Sequence, residues 1–206
     1  MYMGLVQEVG TITYIHKREG VIGLKIKAST RFIEDLQVGG SISVNGVCLT
    51  ATKVSTAEVC VDVTDATKSM TNLCFLTSNS RVNLERSARA GTEIGGHMTA
   101  GHVDGTARVT AVRLLGEAMV LSLAVPTEVI CYVFVKGFLA INGASLTVAS
   151  LDIGTNIAIF NIAPETLRQT NFRGVQAGDE LNIEVDPISR VLVNTLQRIM
   201  SAPVFD

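Results

Sequence analysis

The sequence predicts an all-β protein: two tandem closed antiparallel barrels from an internal duplication, followed by a C-terminal helix. Three observations predict it. The chain is written twice. Its segments are short, β-branched and punctuated by Gly, Ser, Asn and Asp, with no long helices between them. Its one clear helical period lies after the second copy.

The duplication is legible in order along the chain. Gly4-Leu5-Val6-Gln7 returns as Gly101-His102-Val103-Asp104, and Asn45-Gly46-Val47-Cys48-Leu49-Thr50 returns as Asn142-Gly143-Ala144-Ser145-Leu146-Thr147, both 97 residues on. Thr71-Asn72 returns as Thr170-Asn171, and Val82-Asn83-Leu84-Glu85 as Leu181-Asn182-Ile183-Glu184, 99 residues on. A period this long, used twice, means duplicated domains rather than a solenoid. The expected domains are 1–90 and 97–186, joined around Arg86 to Gly96, with residues 187–206 as an oligomerisation helix and tail.

Each element has its own justification. Partial alternation of β-branched residues predicts strands at Gly4–Tyr14, Val21–Ile26, Ser41–Val44, Leu49–Val54 and Val59–Val63. The second copy repeats them at Ala107–Arg113, Ala118–Val125, Leu139–Ile141, Leu146–Leu151 and Ile157–Ile162. One short helix per half is expected, Ser29–Leu36 and Pro126–Val133, each before a glycine turn. From Pro187, with Asp186 as N-cap, Ile188, Val191, Leu192, Thr195, Leu196 and Ile199 recur at helical spacing. Such a stripe needs a cover, either its own barrel or copies of itself in an oligomer, and self-association is favoured because both barrels are expected to be closed already.

Composition narrows the function. Of 206 residues 47% are hydrophobic and 17% charged, enough to fill globular cores. A net charge of −2 supplies no basic surface for nucleic acid. Four cysteines without a Cys-x-x-Cys pair read as free thiols in a reducing compartment. No apolar run is long enough to span a membrane, and the N-terminus lacks the basic and apolar regions of a signal peptide. A cytoplasmic protein is expected.

Two motifs concentrate chemistry. The Asn-Gly-x-[Cys/Ser]-Leu-Thr element ends one strand and begins another, presenting Cys48 or Ser145 with Thr50 or Thr147 on the same side two residues later. Taken alone it reads equally as a duplicated hairpin turn whose hydroxyls cap local backbone. Gly95 to Gly105 holds two of the three histidines, His97 and His102, among four glycines. Histidine exchanges protons near neutral pH, but such a pair also serves structure. Five-residue spacing in an extended segment does not match helical metal ligation, so no metal site is expected. Pro164-Glu165-Thr166-Leu167 starts a helix or turn with free backbone groups.

Together these motifs resemble the riboflavin synthase family, alpha-chain type, over essentially the whole chain. The carriers are MYMGLVQEVG, NGVCLT, VNLERS, EIGGHMTAGHVDG, KGFLAINGASLTV, PETL, TNF and LNIEVDP, in this order and spacing. The resemblance implies six-stranded Greek-key barrels and a helix that gathers three chains into a homotrimer. It implies dismutation of two 6,7-dimethyl-8-ribityllumazine molecules to riboflavin and 5-amino-6-ribitylaminouracil, a four-carbon transfer without cofactor or metal. Its pockets pair the first barrel of one subunit with the second barrel of a neighbour. Lumazine synthase is a further candidate partner. The alternative is a non-catalytic lumazine- or flavin-binding paralogue, such as an antenna protein, though those typically lose the histidine pair kept here.

By the same resemblance, Ser145 and His102 correspond to positions at the reacting rings in the second barrel, supported by Thr147, and Cys48 and Thr50 to the first-barrel pocket. Thr67 matches a ribityl-side position beside Ala66; Ala163, Glu165 and Thr166 match the other ribityl site. Gly4, Val6, Gly101, Val103, Lys136 and Asn142 complete the expected substrate contacts, with His97 and Asp186 close by. Four positions depart from the family pattern. Tyr2 keeps an aromatic ring, and Met3 lacks the usual hydroxyl. Ala66 replaces a common Glu, and Asn161 a common His. A further change, Asn142 for a common Asp, removes a candidate base, because an amide cannot take a proton at neutral pH.

Overall fold

The computed structural model describes residues 1–201; positions 202–206 of the expected tail lie outside the described residues. Twelve strands form two closed six-stranded antiparallel barrels. The first contains β1 (Glu8–Arg18), β2 (Val21–Lys27), β3 (Ser41–Val44), β4 (Val47–Val54), β5 (Glu58–Thr64) and β6 (Arg81–Arg86), closed in the order β1-β2-β5-β4-β3-β6. The second repeats the circuit with β7 (Gly105–Leu115), β8 (Ala118–Ala124), β9 (Phe138–Ile141), β10 (Ala144–Asp152), β11 (Ile157–Ile162) and β12 (Glu180–Val185).

Period-two patterning builds each core. Ile22, Leu24 and Ile26 on β2 and Val59, Val61 and Val63 on β5 point inward, as alternate residues of a strand must. Leu121, Leu123, Ala158, Phe160 and Ile162 do the same in the second barrel. Closure needs curvature. Register shifts at Ile12/Tyr14 and Ala51/Lys53 recur at Val109/Ala111 and Val148/Ser150, the equivalent places in each copy. The duplication extends to its irregularities.

The structure adjusts several expected elements. The helices expected at Ser29–Leu36 and Pro126–Val133 are single turns, α1 (Thr30–Ile33) and α3 (Thr127–Ile130). Asp35, at φ 61, turns the first connection away from helical geometry. Additional helices α2 (Asp65–Met70) and α4 (Pro164–Gln169) follow β5 and β11, α4 starting at the PETL motif with Pro164 at its first position. Strands β6 and β12 were not drawn from periodicity. Both their faces are buried: Val82 and Leu84 enter the core, while Asn83 turns toward the second barrel and Glu85 toward the chain start. Leu181 and Ile183 alternate with Asn182 and Glu184 in the same way.

The first strand also starts later than expected, at Glu8 rather than Gly4. Residues before it leave their own barrel and cross to the other. Helix α5 (Pro187–Ser201) forms where expected, capped by Asp186, whose carboxylate accepts from Ser189 N at 2.9 Å and Ser189 Oγ at 2.8 Å. Arg190 pairs with Asp104, and Tyr132 Oη donates to Asn194 Oδ1 at 2.7 Å, fastening one side of the helix. The stripe stays open: Ile188 is 71% exposed and Leu196 57%. No helix among the described residues is long and apolar enough to cross a membrane.

Candidate active site

The barrels meet about a pseudo-twofold relation in which equivalent residues face each other. Tyr2 and Thr99, equivalent by the 97-residue repeat, form a two-way backbone bridge of 2.8 and 3.0 Å. The Asn45-Gly46 and Asn142-Gly143 turns have positive φ at both central residues, the geometry of tight two-residue hairpins. They abut so closely that a Cβ on Gly46 would lie 2.8 Å from Gly143 N.

Six asparagines lock this junction. Asn45 Oδ1 accepts from Asn83 N at 2.8 Å and Asn171 Nδ2 at 3.2 Å; Asn142 Oδ1 accepts from Asn182 N at 2.9 Å and Asn72 Nδ2 at 2.9 Å. Asn142 is 2% exposed. It was expected at the substrate; its amide oxygen is engaged between the barrels. An amide suffices there, because the position needs an acceptor rather than a base.

The chain start and the join act as two exchanged leaders. The first carries Gly4 onto the second barrel, where Gly4 O accepts from Ser145 N at 2.8 Å and Val6 packs against that core. The second carries Gly101 onto the first barrel, where Gly101 O accepts from Cys48 N at 2.9 Å and Val103 packs against that core. Both glycines have left-handed φ, 66° and 79°, and a Cβ on either would lie 2.6–2.7 Å from the side chain beneath.

Two half-sites result. On the second barrel, Ser145 lies half-buried on β10 with Thr147 exposed two residues on, under the leader of Gly4 to Val6. His97 Nδ1 lies 2.6 Å from Ser145 Oγ, and its ring stacks on Phe138 at 5.1 Å. Burial lowers the His97 pKa, partly opposed by Asp186, so the imidazole is held neutral and its Nδ1 can accept the Ser145 hydroxyl proton. His97 Nε2 is buried without a partner among the described residues. Ala163 and Thr166 sit at the start of α4, following β11, which pairs with β10. Glu165 instead turns along its own helix, to Arg168 at 2.6 Å and Gln169 at 2.9 Å.

The first barrel mirrors this with Cys48 and Thr50 on β4 beneath Gly101 to Val103, and with Ala66 and Thr67 at the start of α2. His102 is exposed on this leader. The expectation grouped His102 with Ser145 in the second barrel; the exchange of leaders places it on the first instead. Lys136 is exposed at φ 69, where the other copy has Gly39 at φ 88.

Sequence reasoning named Tyr2 only as a retained aromatic ring and missed two contributors, Glu85 and Glu184. Tyr2 is 1% exposed, so it is not a free stacking surface: its Oη donates to Cys48 Sγ at 3.2 Å. Burial, then that bond, pushes its phenol pKa well up. Glu85 accepts from Met3 N at 2.7 Å, and Glu184 from Ala100 N at 2.7 Å and Gly101 N at 3.1 Å. The signal for both was a carboxylate at equivalent places in two otherwise apolar strands.

The lumazine binding domain model matches residues 3–87 and again 100–186. The chain belongs to the lumazine-binding domain family. Within it, the chain is 35% identical to riboflavin synthase of Bacillus subtilis (strain 168), covering 96% of this chain and 91% of that protein. It is 34% identical to riboflavin synthase of Chlamydia pneumoniae, covering 98% of each. Among solved structures, LumP complexed with riboflavin matches with a TM-score of 0.84 at 24% identity, over 90% of this chain and 99% of that one, a likeness of fold.

Proposed function

We propose that this lumazine-binding protein is a riboflavin synthase: it dismutates two molecules of 6,7-dimethyl-8-ribityllumazine to riboflavin and 5-amino-6-ribitylaminouracil. The observation that supports this most is the pair of half-sites, built alike and armed differently, Cys48 against Ser145 and Leu5 against His102. Two copies of one substrate must meet, yet one gives four carbons and the other receives them. Related pockets suit the first demand, and unequal side chains suit the second.

The substrate-binding roles follow each half-site. Thr50 and Thr147 offer hydroxyls at the rings, and Thr67 and Thr166, with the backbone at Ala163, hold the ribityl chains. Neutral His97 accepts the Ser145 hydroxyl proton, which makes Ser145 Oγ a stronger nucleophile or acceptor toward a ring. His102, exposed on the first barrel, supplies an acid or base beside Cys48. Pairing the first barrel of one chain with the second barrel of another brings His102 toward Ser145. The open stripe of α5 supports such an assembly, a homotrimer. Holding two flat rings in contact removes much of the entropic cost of their encounter.

The test is incubation of the purified chain with the lumazine alone, following riboflavin absorbance. Many equivalents of riboflavin per chain are expected. Tight binding without riboflavin would make the chain a binding paralogue instead.

A further inference from the structure

We propose that Glu85 and Glu184 are positioning residues that act crosswise, each carboxylate fixing the leader that covers the reactive residue of the opposite barrel. Glu85 stands on β6 of the first barrel and takes the amide of Met3, next to the Gly4 that covers Ser145 on the second. Glu184 stands on β12 of the second barrel and takes the amides of Ala100 and Gly101, and that Gly101 covers Cys48 on the first. Both side chains are 4% exposed, on the strand face turned away from the core.

A side chain with two acceptor oxygens suits this place. Where a leader crosses between barrels, between the Tyr2–Thr99 bridge and the strand contacts of Gln7 and Asp104, its amides lack backbone partners, and buried unpaired N–H groups are strongly disfavoured. The two oxygens of one carboxyl group can accept from several of them at once. The amides of Met3, Leu5 and Gly4 lower the Glu85 pKa, and those of Ala100, His102 and Gly101 lower that of Glu184; burial, the larger influence, raises both. The repeat supports a common role, because both leaders, both carboxylates and both covered residues are equivalent. As positioning for catalysis the inference rests on the synthase reading; as a crossed clamp it stands on these contacts alone.

The test uses Ser145→Cys, which gives the second half-site the residue its twin already has. Alkylation of Cys48 and of the thiol at position 145 by iodoacetamide is then compared by peptide mass, with exposed Cys74 and Cys131 as references. Adding Glu85→Gln turns an amide donor toward the leader's own N–H groups, and alkylation at 145 should rise about tenfold relative to Cys48, the shift expected when a buried N–H loses its acceptor. Adding Glu184→Gln should shift the ratio the other way. Ratios that stay constant, or move together, overturn the clamp. If either variant fails to fold, hydrogen exchange in the unmodified chain decides. Protection of the leader amides matching that of the barrel strands is expected, and free exchange overturns the proposal. With Ser145 intact, each Glu→Gln change should also lower lumazine turnover. A parent chain without turnover removes the synthase reading and leaves the alkylation contrast to judge the clamp.

Discussion

Ser145 gains its chemistry from a neighbour the chain supplies locally. A hydroxyl is a weak nucleophile alone, and His97, neutral through burial, lies 2.6 Å from it. Ser145→Ala should therefore lower turnover by roughly 100-fold. Lumazine affinity should fall only about five-fold, the share of one hydrogen bond, as fluorescence titration would show. Unchanged turnover would remove Ser145 from the reaction. Glu85 makes a separate prediction about stability. Burial lifts its carboxyl from 4.5 to about 7, so between those pH values the folded chain binds a proton that the unfolded chain has lost. Its contribution is thus fully present below 4.5 and declines as pH rises through 7. Denaturant unfolding at pH 5 and pH 8 should show Glu85→Gln gaining stability relative to the parent at the higher pH. A pH-independent difference would contradict this.

At the scale of elements, the hairpin turns carry the junction, and they tolerate no side chain. Gly46 and Gly143 adopt φ 83° and 78° and meet backbone to backbone. Gly143→Ala should cost about 2 kcal/mol or more in chemical unfolding, from the left-handed backbone and the close contact together. A cost near zero would mean that the turns can separate freely. These turns were legible in sequence because Asn-Gly is their chemical signature. Strands β2 and β5 were legible because one face is core and the other mostly polar, and β8 and β11 because they are short apolar runs bounded by turn residues. Strands β6 and β12 carry the same alternation, but what escaped is the burial of their polar face: Asn83, Glu85, Asn182 and Glu184 face a second barrel that no local pattern reveals. The leaders escaped for the same reason. Gly4 to Gln7 looks like the start of a strand in its own barrel, and nothing within four residues says that it belongs to the other. So the sequence supplied the candidates Ser145, Cys48 and His102 but not their grouping, which depends on the distant contacts of Gly101 with Cys48 and of Gly4 with Ser145.

At the scale of the whole molecule, each chain carries two open half-sites and an uncovered helical stripe. Truncation after Asp186 should leave both barrels folded, with unchanged circular dichroism in the strand region. It should convert an oligomer into monomers by light scattering and abolish turnover. A truncated chain that still turns over lumazine would show that α5 is not needed to assemble the site. The central claim is that the complete site joins the first barrel of one chain to the second barrel of another. The most direct test co-expresses two inactive chains, one with Ser145→Ala and one with Cys48→Ala and His102→Gln, and measures riboflavin formation by the mixed oligomer. The account predicts recovery far above either parent, because about a quarter of interfaces in a random mixture pair an intact first barrel with an intact second. Activity no higher than the average of the two parents would contradict it, since a site contained within one chain gains nothing from the mixture.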